Sequence, residues 1–282
     1  SFMGMNLNKR SLTLNLKHET ATEIIKKLLS TVDVIVENFK AGTMQRHSLG
    51  YERLRPTKPD MIYCSINGYG QTEPKAGEAA YDGAIQASSG MMSQNGHPET
   101  GPTRTGYMPV DMSTGLNSAF AISAALYRKA TTGEGQYIDI AMLDTAIIMQ
   151  ASQFSNYLNQ GTLIGLRGNA SPTGQPTANV FPTMSGHIQI TALRQPQVEK
   201  LFTELGLKQM LEDTKFATTD SRINHPQEIF EAMSQALNRQ TTQAWMKQLA
   251  PVGIPVAEAC ELPEVASDSD IAHRNALVTL PS

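Results

Sequence analysis

The sequence predicts an α/β fold: a doubly wound parallel sheet in a large N-terminal domain, followed by a small α+β domain. Three observations carry that prediction. Short apolar runs, of a length suited to buried strands, alternate with stretches of helical spacing through the first half of the chain. The intervals between those runs are long enough for crossover helices, which parallel pairing requires. From Gly161 the character changes, and Gly, Asn, Ser, Pro and Thr dominate as far as Thr177.

Ser11-Leu-Thr-Leu-Asn-Leu16 alternates polar and apolar side chains, so a strand is expected there. His18 to Ser30 places Ile24, Ile25, Leu28 and Leu29 at helical spacing. Asp33-Val-Ile-Val-Glu37 is a buried-strand run, which completes a βαβ unit. A short helix is expected at Tyr51 to Arg55, stopped by Pro56 and Pro59. Met61-Ile-Tyr-Cys-Ser-Ile66 reads as the next strand, ending in Asn67-Gly-Tyr-Gly70. Tyr81 to Ser89 and the strongly apolar Gly115 to Lys129 read as helices. Gly133-Glu-Gly135 reads as a C-cap and turn before the strand Tyr137 to Ala141, and Leu143 to Tyr157 as a helix. Residues 1–160 are thus expected to form a large Rossmann-like domain, with 161–179 a linker. Residues 180–250 should form the small domain, with a strand at Gly186 to Ala192 and helices near Gln195–Leu205, Pro226–Leu237 and Thr242–Ala250. Residues 251–282 read as a return linker with no core of their own.

The 282 residues are 40% hydrophobic and 17% charged, a globular mixture able to build a sizeable core. A net charge of −3 argues against nucleic acid or an anionic membrane as the main partner. No apolar run reaches the ~18 residues of a membrane span, and no signal peptide is expected. Cys64 and Cys260 are too few for a disulfide framework and suggest a reducing, cytoplasmic setting. The six histidines form no HExxH, HxH or Cys/His pair at ligand spacing, so no metal site is expected.

Candidate chemistry centres on Asp111. An Asp just before an apolar helix most often caps it. The same position would also hold an ionised carboxylate at the positive end of a helix dipole, where it could serve as a covalent nucleophile. Local pattern does not separate the two. Gly68-Tyr-Gly70 could be an active-site loop or a turn, and no dinucleotide or Walker fingerprint supports it. Lys9, Arg10, Lys17, Lys40 and Arg46 cluster at element ends, where such sheets bind ligands. They read either as a solvated edge or as a site for a phosphate-bearing ligand.

Taken together, several motifs resemble the family III CoA-transferases. They are Asn8-Lys-Arg-Ser-Leu-Thr-Leu-Asn-Leu-Lys17, Asp33-Val-Ile-Val-Glu-Asn-Phe39 with Gly42, Arg46 and Tyr51, and Ile62-Tyr-Cys-Ser-Ile-Asn-Gly-Tyr-Gly-Gln71. Ala80-Tyr-Asp82 with Gln86, Ser89 and Gly90, then Asp111, and Thr132-Gly-Glu-Gly-Gln-Tyr-Ile-Asp139 complete the set in family order. The resemblance implies that Asp111 is the nucleophile. Its carboxylate would attack an acyl-CoA carbonyl, and the released thiolate would attack the anhydride to leave CoA on the aspartate.

It further implies a coenzyme A site made by Leu14, Lys17, Asn38, Phe39, Lys40 and Arg46, with Ala80, Tyr81 and Asp82 at the thioester end. We assign the oxyanion loop to Gly68, Tyr69 and Gly70. The implied partners are an acyl-CoA, a small carboxylic acid and a second copy of the chain, since the family forms a dimer of interlocked rings. The related α-methylacyl-CoA racemases place a His where Tyr81 stands. A tyrosine, ionising near ~10, replaces that group poorly, which favours transfer over racemisation. Family members carry a strand and helix before the Asn8 motif and a segment after the position of Ser282. A catalytically inactive CoA-binding remnant is therefore the third reading.

Overall fold

The computed structural model describes residues 2–72 and 74–279, and the chain divides into two compact units, the first running to Leu166 and the second beginning at Arg167.

In the first unit the α1 helix (Glu19–Leu29) is followed by β1 (Val34–Glu37) and β2 (Ile62–Asn67). The short helices Thr43–Arg46 and Tyr51–Leu54 lie between those strands. Next come α2 (Asp82–Ser88), α3 (Pro109–Thr132), β3 (Gln136–Ala141), α4 (Met142–Met149) and α5 (Ala151–Gln160). The three strands form one parallel sheet in the order β1-β2-β3, with Val34 opposite Ile62 and Ile62 opposite Gln136. Alternation along the strands divides their side chains between two layers. Tyr63 packs with Leu29, Met44, Leu49, Leu54 and Met61 on one face. Ile62, Cys64, Ile138 and Ile140 pack with Ala125 of α3 on the other. Helices therefore cover both faces of the parallel sheet.

The segment Ser11–Leu16, expected as a strand, forms none. Alternation satisfies a strand's side chains, but its backbone N–H and C=O groups need a neighbouring strand. Among the described residues β1 pairs only with β2. The helix expected at Gly115 to Lys129 is longer at both ends. It starts at Pro109, a favoured first helical residue, and ends at Gly133, whose φ of 75° supplies the left-handed C-cap. Lys129, in its last turn, bonds Asp33 at 2.7 Å and Asp60 at 2.8 Å, tying this end of α3 to the sheet. The helix expected from Leu143 to Tyr157 is two helices, broken at Gln150, whose buried side chain bonds the carbonyls of Ser89 and Ala146.

The second unit contains β4 (Ala178–Thr183) and β5 (Gly186–Thr191), then α6 (Gln195–Glu204), α7 (Pro226–Leu237), α8 (Thr242–Leu249) and β6 (Val256–Glu258). The strands form an antiparallel sheet, β4-β5-β6. β4 begins inside the stretch expected as a linker, and β6 lies inside the stretch expected as a coreless return segment. One continuous cluster, including Phe181, Ile188, Leu201, Phe202, Ile229, Leu237 and Trp245, fills the space between this sheet and the three helices. No helix among the described residues is long and apolar enough to cross a membrane.

Candidate functional site

A parallel sheet leaves its ligand crevice at the carboxyl ends of its strands. Here that edge opens into a cavity of ≈ 570 Å³. Asn38, Phe39 and Lys40, which follow β1 directly, form one wall, and Ile66, Asn67 and Gly68 at the end of β2 form the floor. Ala76 and the run Glu78 to Tyr81 form a second wall, and Asp111, Thr114 and Gly115 of α3 close the far side. The volume suits the narrow end of a larger ligand.

Seven of the residues expected at a site therefore share one cavity: Asn38, Phe39, Lys40, Gly68, Ala80, Tyr81 and Asp111. Their positions have local causes. The Asn38 amide donates to the Ile66 carbonyl at 2.8 Å, joining the loops that follow β1 and β2. The Phe39 amide donates to the Glu37 carboxylate at 2.9 Å, which turns the chain immediately after the strand. At Gly68 any Cβ would lie 2.1 Å from the Cβ of Ala80, so only glycine allows these two walls to meet.

The remaining expected residues lie elsewhere. Leu14 and Lys17 sit on the irregular segment before α1, Leu14 half-buried and Lys17 exposed, and neither lines the cavity. Arg46 is exposed at the end of its short helix, where its guanidinium donates to Thr43 Oγ1 at 2.9 Å. Tyr69 does not line the cavity; it packs against the cluster of Ile85, Val110, Met142 and Ala146, with Lys75 Nζ 5.4 Å from its ring centre. Gly70 does not line the cavity either, and its amide N–H donates to Asn67 Oδ1 at 2.6 Å.

Asp82, expected at the thioester end, is not itself among the cavity-lining residues. It is buried, and its carboxylate points into the protein. Asp82 Oδ2 accepts the amide N–H of Val110 at 2.9 Å and of Asp111 at 3.1 Å.

That contact bears on the capping reading of Asp111. The N-cap of α3 is Met108, not Asp111, and Met108 has no side chain able to accept from the first turn. Asp111 is the third residue of the helix. Its backbone amide is already satisfied by Asp82, so its own carboxylate is not needed as a cap. Among the described residues that carboxylate accepts no hydrogen bond and faces the cavity. Asp111 is an exposed residue, yet partial loss of hydration against its neighbours pushes its pKa above the ordinary carboxylate value, and the Asp82 charge pushes in the same direction. The helix dipole was expected to favour the ionised form, and partial desolvation and the Asp82 charge act against it.

Sequence reasoning overlooked several lining residues. The Asn67 side-chain amide nitrogen and the Thr114 hydroxyl are buried without a hydrogen-bond partner, and both residues line the cavity. Asn67 stood inside a quoted motif. Thr114 follows Asp111 by three positions and so shares its helix face. Glu78 lines the same cavity as Lys40, with no local sequence signal. No group of His, Cys, Asp and Glu among the described residues could hold a metal ion.

Comparison with known proteins places this cavity in context. The profile of CoA-transferase family III matches residues 1–282. The chain is 34% identical over 279 residues to succinate–glutarate CoA-transferase of Agrobacterium fabrum, covering 99% of this chain and 70% of that protein. It is 32% identical over 278 residues to human succinyl-CoA:glutarate CoA-transferase, covering 98% of this chain and 63% of that protein. It is 31% identical over 278 residues to acetyl-CoA:oxalate CoA-transferase of Acetobacter aceti, covering 98% of this chain and 71% of that one. The chain thus spans roughly two thirds of the length of these relatives. The crystal structure of a CAIB/BAIF family protein from Brucella suis superposes with a TM-score of 0.85 at 33% identity, covering 94% of this chain and 70% of that one.

Proposed function

The chain belongs to CoA-transferase family III, and on that premise we propose that the cavity around Asp111 receives the thioester end of an acyl-CoA and moves CoA to a small carboxylic acid. One observation carries this reading. Asp111 presents an unengaged carboxylate to a cavity at the ligand edge of a parallel sheet.

The exchange balances with the groups present. An Asp111 oxygen attacks the acyl carbon, the carbon–sulfur bond breaks, and CoA leaves as a thiolate. The thiolate then attacks the aspartyl carbonyl of the mixed anhydride. The carbon–oxygen bond to the acyl group breaks, releasing the donor acid as a carboxylate and leaving CoA on Asp111. The incoming carboxylate attacks that thioester, the thiolate leaves again, and its attack on the new acyl group restores Asp111. No proton or electron is gained or lost. The elevated pKa suits the role, because a less acidic carboxylate is the stronger nucleophile once ionised.

Phe39 and Lys40 on the wall would meet the pantetheine arm. Lys17 and Arg46, both exposed, suit the phosphates further out, and Leu14 an apolar part of the ligand. Gly68 remains the oxyanion-loop residue on the cavity wall. Tyr81 lines the cavity where the racemase branch carries His, which supports transfer over proton exchange. The dicarboxylates named for the relatives (succinate, glutarate, oxalate) are the first acceptors to try. We extend the proposal to a cytoplasmic homodimer of interlocked rings, supported by the apolar side chains that α3 leaves in water.

The test is CoA exchange followed by mass spectrometry, with an acyl-CoA donor and these acids. Asp111→Ala should lose at least ~10³-fold in rate, the scale of removing a nucleophile, and hydroxylamine should trap an adduct at Asp111 in the parent. Exchange at the parent rate in Asp111→Ala would overturn the assignment.

A further inference from the structure

The first turn of α3 has no cap in its own sequence. Met108 offers no acceptor, Pro109 has no N–H, and the first bond within the helix is Met112 N–H to the Met108 carbonyl at 3.1 Å. The amides of Val110 and Asp111 are therefore orphan donors at a helix start. A side chain 28 residues from Val110 satisfies both, and nothing in the local sequence of α3 announces it.

That side chain is itself held. Asp82 is 6% exposed, and its second oxygen accepts Gln86 Nε2 at 2.5 Å. Gln86 is fixed in turn, its Nε2 donating to Thr105 Oγ1 at 3.0 Å and its Oε1 accepting the Thr105 amide at 3.1 Å. The chain of bonds runs from the segment before α3, through α2, to the first turn of α3. It leaves Asp111 as the one acid at this helix start whose oxygens are unused. It also sets two carboxylates near each other with no ion pair to Asp82 among the described residues. A buried acid beside another acid opposes stability, so its retention points to a task.

We propose that Asp82 is a positioning residue: its carboxylate, oriented by Gln86, fixes the first turn of α3 so that the Asp111 carboxylate stays free and aimed at the thioester carbon. The proposal rests on the reading of Asp111 as the nucleophile. Among other charged or titratable groups, Lys40, Glu78 and Tyr81 line the same cavity as Asp111, and Arg104 lies beside Gly83 next to Asp82.

The experiment compares Asp82→Asn and Asp82→Ser with the parent enzyme. An Asn offers one acceptor where the carboxylate offers two, and turns an N–H₂ toward other donors. With the turn loosened, kcat should fall by about 10²-fold, the scale of a misplaced reacting group, while KM for the acyl-CoA stays within about twofold. The acid limb of the kcat profile should move to lower pH, because one of the two causes holding the Asp111 pKa up is gone. A purely structural loss would lower Tm without moving that limb. Unchanged kcat and an unmoved limb would overturn the proposal. So would a raised KM at full kcat, which would return Asp82 to ligand contact.

Two readouts need no turnover. Hydrogen exchange at the Val110 and Asp111 amides should speed up in the variants, and the carbon-13 titration of the Asp111 carboxyl should shift to lower pH. They test the positioning contact even if Asp111→Ala shows that the nucleophile assignment is wrong. Should both variants fail to fold, Gln86→Met releases the orienting bond together with the two bonds to Thr105 and should speed exchange at the same amides to a smaller degree, while the retained Asp82 charge leaves the Asp111 titration where it is in the parent. Parent-like amide exchange in it would count against the proposal.

Discussion

In the second unit Phe181, Ile188, Phe202, Ile229 and Leu237 are wholly out of water, whereas in the first unit α3 leaves Met112, Leu116, Phe120 and Tyr127 more than half exposed. The second unit has one contiguous core enclosed by three helices and a sheet. The first has three smaller clusters, two on opposite faces of its sheet and one under α2 and α4. Both sets of side chains sit on regular elements at the expected period. The difference lies in whether the unit itself supplies a second surface. Residues 112, 116 and 120 repeat every fourth position, so they form a stripe along α3 on a face that the sheet does not use. The helix that carries Asp111 is therefore packed on one side and apolar on another. A closed core needs no partner, but an open apolar stripe of this kind marks a contact surface.

The most severe way to test the closed half of that contrast is to hollow it. Phe181 is fully buried and stacks on Phe230 at 5.3 Å between ring centres. Phe181→Ala should cost about 3–5 kcal/mol, the usual range for a truncated core Phe, and should unfold the second unit first in a urea titration followed by Trp245 fluorescence. Trp245 lies in the same cluster and is the chain's single tryptophan, so the signal reports this unit. A loss below about 1 kcal/mol would mean that the cluster collapses around the gap and is not rigidly closed.

A smaller effect is expected where the first unit is tight. Gly68→Ala places a methyl 2.1 Å from the Ala80 Cβ, and one of the two cavity walls must retreat. Overpacking of this kind costs about 1–3 kcal/mol, seen as a lower Tm. The more telling result is binding. Calorimetric titration with CoA should weaken, because Gly68 and Ala80 both line the cavity. Unaltered CoA affinity together with a lowered Tm would separate the packing of this loop from the ligand site.

How far the sequence foresaw these features follows from what each depends on. The three parallel strands were legible because an apolar run bounded by polar residues is a local signal, and each was expected within a residue or two of where it lies. The start of α3 was not legible, because it is set by Asp82 and not by the residues beside it. That is why Asp111 read as a possible cap. β4 was hidden by Pro182, which breaks the strand pattern in sequence. In the fold it is tolerated because β4 lies at the edge of its sheet. Arg222 gave no signal either. Its guanidinium is fully buried, donating to the Phe216 carbonyl at 2.8 Å and to Gln195 Oε1 at 2.8 Å. Phe216 is six residues away, but Gln195 is 27 away and only the fold brings it to the guanidinium. Of the expected site, the residues at strand ends and at Asp111 share one cavity because strand ends are where local pattern and ligand geometry coincide. Leu14 and Lys17 were expected from the resemblance, not from local pattern, and they lie on or just after a segment that forms no strand.

The gentlest test addresses the open half of the contrast. Phe120 is 75% exposed in the middle of α3, so Phe120→Glu removes no packing within the chain. Its effect on the monomer should stay within about 0.5 kcal/mol, as for other exposed positions, while a charge is set into the apolar stripe. If a second copy covers that stripe, light scattering after size exclusion should show the parent as a dimer and the variant shifted toward monomer. Activity should fall with dimer content, because the same helix carries Asp111 nine residues away. A monomeric parent, or a dimer indifferent to Phe120→Glu, would remove the second copy as the occupant of this face. The stripe would then require a different partner, since the closed second unit shows that this chain is able to bury its large apolar side chains where its own elements supply both surfaces.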